Sequence, residues 1–165
     1  MELKIRPAKT EDLEMILKIT NHAILHTTAL YDYEARTWEA HEKWYENKIT
    51  ANFPVLVADL NGKAIGFGTY GTFREKPAYH PTVEHSVYVD PEHTGHGVGK
   101  ILLEALITTA KAQNYHLMIG CIDAANATSI AFHKKFGFTS CGTITEVAHK
   151  FDRWLDLEIM QLKLQ

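Results

Sequence analysis

The segment Thr94-Gly95-His96-Gly97-Val98-Gly99-Lys100 is the part of the chain best equipped to hold a ligand. Its alternating glycines let a backbone come close to another molecule and turn N–H groups outward. The residues that follow read as a helix, whose first turn adds unpaired donors and the positive end of the peptide dipole. Together these can hold a pyrophosphate. Gly95, His96, Gly97, Val98 and Gly99 are therefore candidate binding positions, with Lys100 either adding a charge or facing solvent. The spacing is neither a GxxxxGK[ST] loop nor the GxGxxG of a dinucleotide-binding turn. It implies phosphate holding without nucleotide hydrolysis.

Other residue pairs carry less. His22 and His26 have the i, i+4 spacing of a zinc pair, but HExxH and a third ligand are missing, so an exposed helix face is the simpler reading. His93 and His96 flank the glycine turn and can touch phosphate without any metal. Cys121 and Cys141 form no CxxC pair, which suits a reduced, cytoplasmic protein better than a disulfide framework. A net charge of −3 speaks against a nucleic-acid partner. The start, Met1 to Arg6, lacks the apolar core of a secretory signal, and no run reaches the roughly 18–20 apolar residues that cross a membrane. With 45% hydrophobic residues in 165, one soluble domain spanning 1–165 is expected.

The elements that would position these residues follow from pattern. Leu3 to Arg6 alternates as a strand, and Thr10 reads as the N-cap of a helix carrying Leu13, Ile16, Leu17 and Ile19. A second helix runs from about Thr37 through Trp38, Trp44 and Ile49, the tryptophans serving packing. Val55 to Ala58, the Asn61-Gly62 turn and Ala64 to Tyr70 make a hairpin. Gly66, Gly68 and Gly71 mark close approach of a backbone or ligand. After a loop over Thr72 to Thr82 come a strand from Val83 to Val89, the Asp90-Pro91 break, and a long helix from Val98 to Gln113. Leu117 to Ile122 is a strand, Asn126 to Phe136 a helix stopped by Gly137, and two strands close the chain over Thr139 to Glu146 and Trp154 to Leu164. The mixture predicts an α/β (α+β) fold with a partly antiparallel central sheet flanked by helices.

Strand, glycine turn and helix together resemble the acetyl-CoA-binding core of the GNAT superfamily, whose turn reads Q/R-x-x-G-x-G/A. Thr94 stands where that superfamily usually has Gln or Arg. A second part of the signature is present as Asn126-x-x-Ser129-x-x-x-His133-x-x-x-Gly137-Phe138. Asn21-His22, Ala78-Tyr79, Val83 to Val89 and Lys150-Phe151-x-Arg153-Trp154-x-Asp156 are similar to the phosphinothricin and methionine sulfoximine/sulfone N-acetyltransferases. That resemblance covers nearly the whole chain.

It implies a cytoplasmic, homodimeric enzyme with a detoxification role, moving the acetyl group of acetyl-CoA to the α-amino group of a small amino acid analogue. Protein N-termini or polyamines are the alternative acceptors, and a CoA-binding sensor the non-catalytic alternative. An ammonium must lose a proton before it attacks a thioester, and Glu84 is the candidate base. The pantetheine arm is expected along the backbone of Val87, Tyr88 and Val89, where an N–H can also polarise the thioester oxygen. His133 occupies the position of the superfamily's tyrosine, as a proton donor to the thiolate or a hydrogen-bonding neighbour, with Asn126 near the arm and Lys135 within reach of a CoA phosphate. Arg74, Glu75 and Lys76 sit where relatives contact the acceptor, either cation suiting its carboxylate. His85, Ser86 and Tyr31 are further acceptor contacts, and no metal is called for.

Overall fold

In a computed structural model describing residues 2–165, the strands form one seven-stranded sheet in the order β1-β2-β3-β4-β5-β7-β6. These are β1 (Leu3–Pro7), β2 (Val55–Leu60), β3 (Lys63–Thr72), β4 (Thr82–Val89), β5 (Leu117–Asp123), β6 (Thr139–Lys150) and β7 (Arg153–Lys163). Neighbouring strands are antiparallel except β4 and β5. Four α-helices cover the sheet: α1 (Leu13–His26), α2 (Trp38–Thr50), α3 (Val98–Ala112) and α4 (Ala127–Lys135). The expected mixed, partly antiparallel sheet is present.

Each face has its own core. Leu13, Ile16 and Ile19 of α1 meet Val55, Val57 and Phe67, with Trp44 and Tyr45 of α2 at the edge. Leu102, Leu103 and Leu106 of α3 meet Leu56, Tyr70, Val83 and Met118 on the other face, where Phe132 of α4 and Phe136 just after it also pack. The β3 glycines explain how closely α3 sits. A Cβ on Gly66 would lie 3.2 Å from Val98 Cγ1, and one on Gly68 only 2.9 Å from Leu106 Cδ1. The third glycine, Gly71, faces the opposite side, and a Cβ there would lie 2.8 Å from Lys48 Nζ of α2.

Three expectations need correction. Thr10 does not cap α1: Thr10–Asp12 is a 3-10 turn, and Asp12 is buried. Its carboxylate accepts from Arg6 at 2.7 Å and from the Lys9 N–H at 2.7 Å, a tertiary demand that outweighs the local cap signal. Strand β6 runs on to Lys150, past Glu146, because register shifts absorb extra residues and Glu146 takes φ 51°. Trp38 is 45% exposed; Trp44 is the tryptophan that packs, stacked on His41 at 5.3 Å and edge-on to Phe67 at 6.1 Å.

The Lys150-Phe151-x-Arg153-Trp154-x-Asp156 run has a clear structural part. Phe151 and Asp152 turn with φ 53° and 56°, so the hairpin reverses in two residues. This brings the buried Lys150 ammonium onto the carbonyls of Ile24, Thr27 and Leu30, at 2.6, 2.9 and 2.5 Å. One cation thereby closes the end of α1 and fixes the loop after it. Tyr33 Oη adds a bond to the His149 carbonyl at 2.6 Å. Replacing Lys150 with Met is expected to lower unfolding free energy by about 2–4 kcal/mol, since buried acceptors lose their donor. Denaturant titration of both proteins checks it, and an unchanged midpoint would contradict the role.

Candidate active site

Strands β4 and β5 pair only where Thr82, Val83 and Glu84 meet Leu117, Met118 and Ile119. Pairing of β4 with β3 continues to Val89 opposite Gly66. From His85 onward, therefore, one edge of β4 faces a gap. The Ser86 and Tyr88 carbonyls turn toward β3, at 3.5 and 3.1 Å from where a Cβ would stand on Gly68 and Gly66. Backbone direction alternates along a strand, so the N–H and C=O groups of Val87 and Val89 point into the gap.

The glycine turn closes the far end of that gap. Gly95 and Gly97 adopt φ 80° and 79°, which favours glycine, and a Cβ on either would meet nothing within 4 Å. Gly97 is the N-cap of α3, and no side chain bonds the helix's first N–H groups. Gly99 brings that helix end to Val87 Cγ1 and Val89 Cγ2, both 3.9 Å from its Cβ position. The Val98 side chain is core, so its contribution to a ligand would be its main chain. Lys100 is largely exposed, with Glu104 Oε1 at 3.8 Å. Asn126 caps α4, accepting from Ser129 N at 3.1 Å, while Lys135 and His96 are exposed.

Strand alternation divides the remaining candidates between two faces. Glu84 is paired with Gly71, so its side chain shares the α2 face with the Lys48 ammonium that covers that glycine. Lys48 Nζ donates to the Tyr70 carbonyl at 2.9 Å, and burial pushes it down to about 8. From the β5 side the Cys121 thiol donates to Glu84 Oε1 at 3.2 Å. Burial, with the Glu84 charge beside it, raises that thiol to about 12. Ser86 and Tyr88 follow on the same face, Tyr88 packing on Phe67 at 5.3 Å.

His85 points the other way. Its ring stacks on His133 of α4, centroids 5.1 Å apart, and the two Nε2 atoms are 3.1 Å apart. His133 Nδ1 lies 2.7 Å from the Ser129 carbonyl, which only accepts, so Nδ1 carries the proton. A neutral His133 then accepts at Nε2 from His85, leaving it no free proton to give. The buried His85 Nδ1 is without a partner. Burial, with His133 beside it, pushes His85 down to about 3; burial also lowers His133.

The acetyltransferase (GNAT) family model matches residues 21–138 of this sequence. The chain belongs to this family. It is 41% identical to an L-methionine sulfoximine/L-methionine sulfone acetyltransferase of Pseudomonas aeruginosa, over 99% of this chain and 96% of the relative. A phosphinothricin N-acetyltransferase of Streptomyces coelicolor is 33% identical over 94% of this chain and 93% of its own. Among solved structures, an acetyltransferase of Salmonella typhimurium with its cofactor acetyl-CoA superposes with TM-score 0.97 at 40% identity, covering 100% of this chain and 95% of that one. The protein is thus an N-acetyltransferase of the GNAT type, and its fold is the GNAT fold.

Within this GNAT frame the acceptor candidates fall in two places. Tyr31 lies on the Glu84 side, near Asp123 and Cys121; its hydroxyl is buried without a partner, and burial raises it. Arg74, Glu75 and Lys76 are exposed on the β3–β4 loop, with the Arg74 guanidinium over the rings of Phe73 and Tyr79 at 5.6 and 5.8 Å. His85 is not with them; it belongs to the α4 face. The exposed His22 and His26 rings lie 4.9 Å apart, and no group of three potential metal ligands occurs among the described residues. Sequence reasoning passed over Cys121, which bonds Glu84, and Lys48, which lies over the Gly71 paired with it. The available signal was Gly71, which falls out of step with Gly66 and Gly68 and marks a close approach on the opposite face.

The histidine pair sets a pH dependence of stability. Both groups are lowered on folding, so the unfolded chain binds more protons at acid pH. Their contribution is complete above the ordinary value near 6.5 and is lost as pH falls toward about 3. Unfolding free energy is expected to fall between pH 6.5 and 4, with His85→Leu flattening the slope by up to about 1.4 kcal/mol per pH unit. Denaturation series at several pH values test this, and equal slopes for both proteins would contradict it.

Proposed function

We propose that this enzyme, as one domain over 1–165, transfers the acetyl group of acetyl-CoA to the α-amino group of a small amino acid analogue of the methionine sulfone, methionine sulfoximine or phosphinothricin type. The observation that carries the cofactor assignment is the gap in the sheet. Val87 and Val89 turn unpaired backbone groups into it, and uncapped helix donors lie beyond an open glycine turn. An extended amide-bearing arm ending in a pyrophosphate matches both features. Acetyl-CoA supplies an activated thioester.

The residues of the chain do the rest. Val87 and Val89 align the arm, and an N–H of this stretch polarises the thioester oxygen. The N–H groups of Gly97, Val98 and Gly99 face the pyrophosphate, with Lys100 and Lys135 as outlying charges and Asn126 beside the arm. Glu84, on the opposite face from the histidines, takes the proton of the acceptor ammonium directly or through water. The partnerless Tyr31 hydroxyl and the Arg74-Glu75-Lys76 loop frame the acceptor, with Arg74 or Lys76 pairing its carboxylate. His133, whose protons are committed, acts as a hydrogen-bonding brace; the geometry favours this over proton donation.

Cys121 and Cys141 form no disulfide, which suits a cytoplasmic setting, and no described helix is long and apolar enough to span a membrane. Homodimer formation fits the exposed Ile144, Val147, Phe151 and Trp154 on the β6–β7 hairpin. Thiol release is expected with methionine sulfone, methionine sulfoximine or phosphinothricin, and little with spermidine or an alanine-starting peptide. Glu84→Gln should cut kcat about 10²–10⁴-fold while leaving acetyl-CoA affinity within a few fold. Turnover only with peptide or polyamine would overturn the acceptor assignment, and full activity of Glu84→Gln would remove the base.

A further inference from the structure

Glu84 is flanked by groups that the acetyl transfer has not yet used. On the β3 side stands Lys48, thirty-six positions earlier in the chain and held in place independently of Glu84. Its Nζ donates to the Tyr70 carbonyl at 2.9 Å and lies over the Phe53 ring at 5.5 Å. Gly71 is what makes room, since a Cβ there would stand 2.8 Å from the ammonium. Directly paired residues on one sheet face have Cβ positions about 4.5–5.5 Å apart, so the ammonium shares the Glu84 face and feels its charge without forming an ion pair with it. On the β5 side Cys121 reaches Glu84 Oε1 at 3.2 Å, and burial keeps it a thiol, which can donate. A carboxylate meant to take a proton must be aimed while it waits for the acceptor. An ammonium on one side and a donor on the other meet that need.

We propose that Lys48 and Cys121 are positioning residues that hold the Glu84 carboxylate aimed into the acceptor side of the gap. The inference rests on Glu84 being the base. Lys48 contributes charge, and one of its N–H groups is already committed to Tyr70, so the ammonium is fixed rather than free to swing away. Cys121 contributes direction through a single hydrogen bond. The other charged or titratable groups near this face are Arg36 of the α1–α2 loop, which acts against the Lys48 charge, and Tyr88 further along β4. Asp32 and Asp123 act on Tyr88 and Tyr31 respectively. Of the groups around Glu84, Lys48 is the cation over its paired residue and Cys121 the donor on its oxygen.

The test is kcat and KM with methionine sulfone for Lys48→Gln, Lys48→Arg, Cys121→Ala and Cys121→Ser, alongside Glu84→Gln. Gln at 48 keeps an N–H for the Tyr70 carbonyl but removes the charge. Its kcat should fall about three- to tenfold with KM for acetyl-CoA unchanged, and Arg should restore most of it. Cys121→Ala should lower kcat about three- to tenfold with KM for acetyl-CoA unchanged, and Ser should recover most of it. Cys141→Ala, away from the site, serves as the unchanged control. An inactive Glu84→Gln together with wild-type kcat in Lys48→Gln and Cys121→Ala would overturn this proposal while sparing the base. An active Glu84→Gln would instead sink the base itself. Loss of kcat in Lys48→Gln with no rescue by Arg would reduce Lys48 to a packing role.

Discussion

The divergence of β4 from β5 after Glu84 is the constraint on which the rest of the molecule depends. Backbone groups inside a sheet are expected to be paired, and an unpaired stretch next to a core is costly unless something fills it. Here Val83 and Met118 hold the two strands together at the closed end, deep in the α3-side core. At the open end Gly66 and Gly68 let α3 press against β3, and Gly99 brings the start of that helix to Val87 and Val89. The wedge cannot close without driving the helix away from the sheet. What results is a strand-shaped opening with an uncapped helix N-terminus at its mouth.

Strand parity then separates the chemistry. Side chains alternate between faces, so Glu84, Ser86 and Tyr88 meet α1 and α2 while Val83, His85, Val87 and Val89 meet α3 and α4. The Glu84 carboxylate therefore belongs to one side of the gap, and the histidine pair to the other. A register slip of one residue would exchange the two sets, which is why the β3–β4 pairing matters beyond stability. The β6–β7 hairpin supports the Glu84 side from a distance. Through Lys150 it fixes the turn after α1, and with it the loop that carries Tyr31.

Local and periodic signals were legible in the sequence. Glycine alternation, the Asn61-Gly62 turn, the apolar stripe of α3 and the alternation of β4 each act within a few residues, and each appears in the structure as read. Features made by long-range contact were not. Asp12 leaves the helix for Arg6, and Lys150 crosses 126 positions to the Ile24 carbonyl. Lys48 looks like an ordinary charge on a polar helix until Gly71 is placed beneath it, and Cys121 like an inert thiol until β5 sets it beside Glu84. His85 was grouped with Ser86 by adjacency, although neighbours along a strand face opposite ways.

Residue-resolved amide exchange with and without acetyl-CoA tests the central claim most directly, because it reads the edge of β4 itself. The account predicts that the Val87 and Val89 amides, turned into the gap, become strongly protected on binding, together with those of Gly97, Val98 and Gly99. The Tyr88 amide, already turned to β3, should change little. Protection that leaves Val87 and Val89 untouched would mean that the opening in the sheet is not where acetyl-CoA lies.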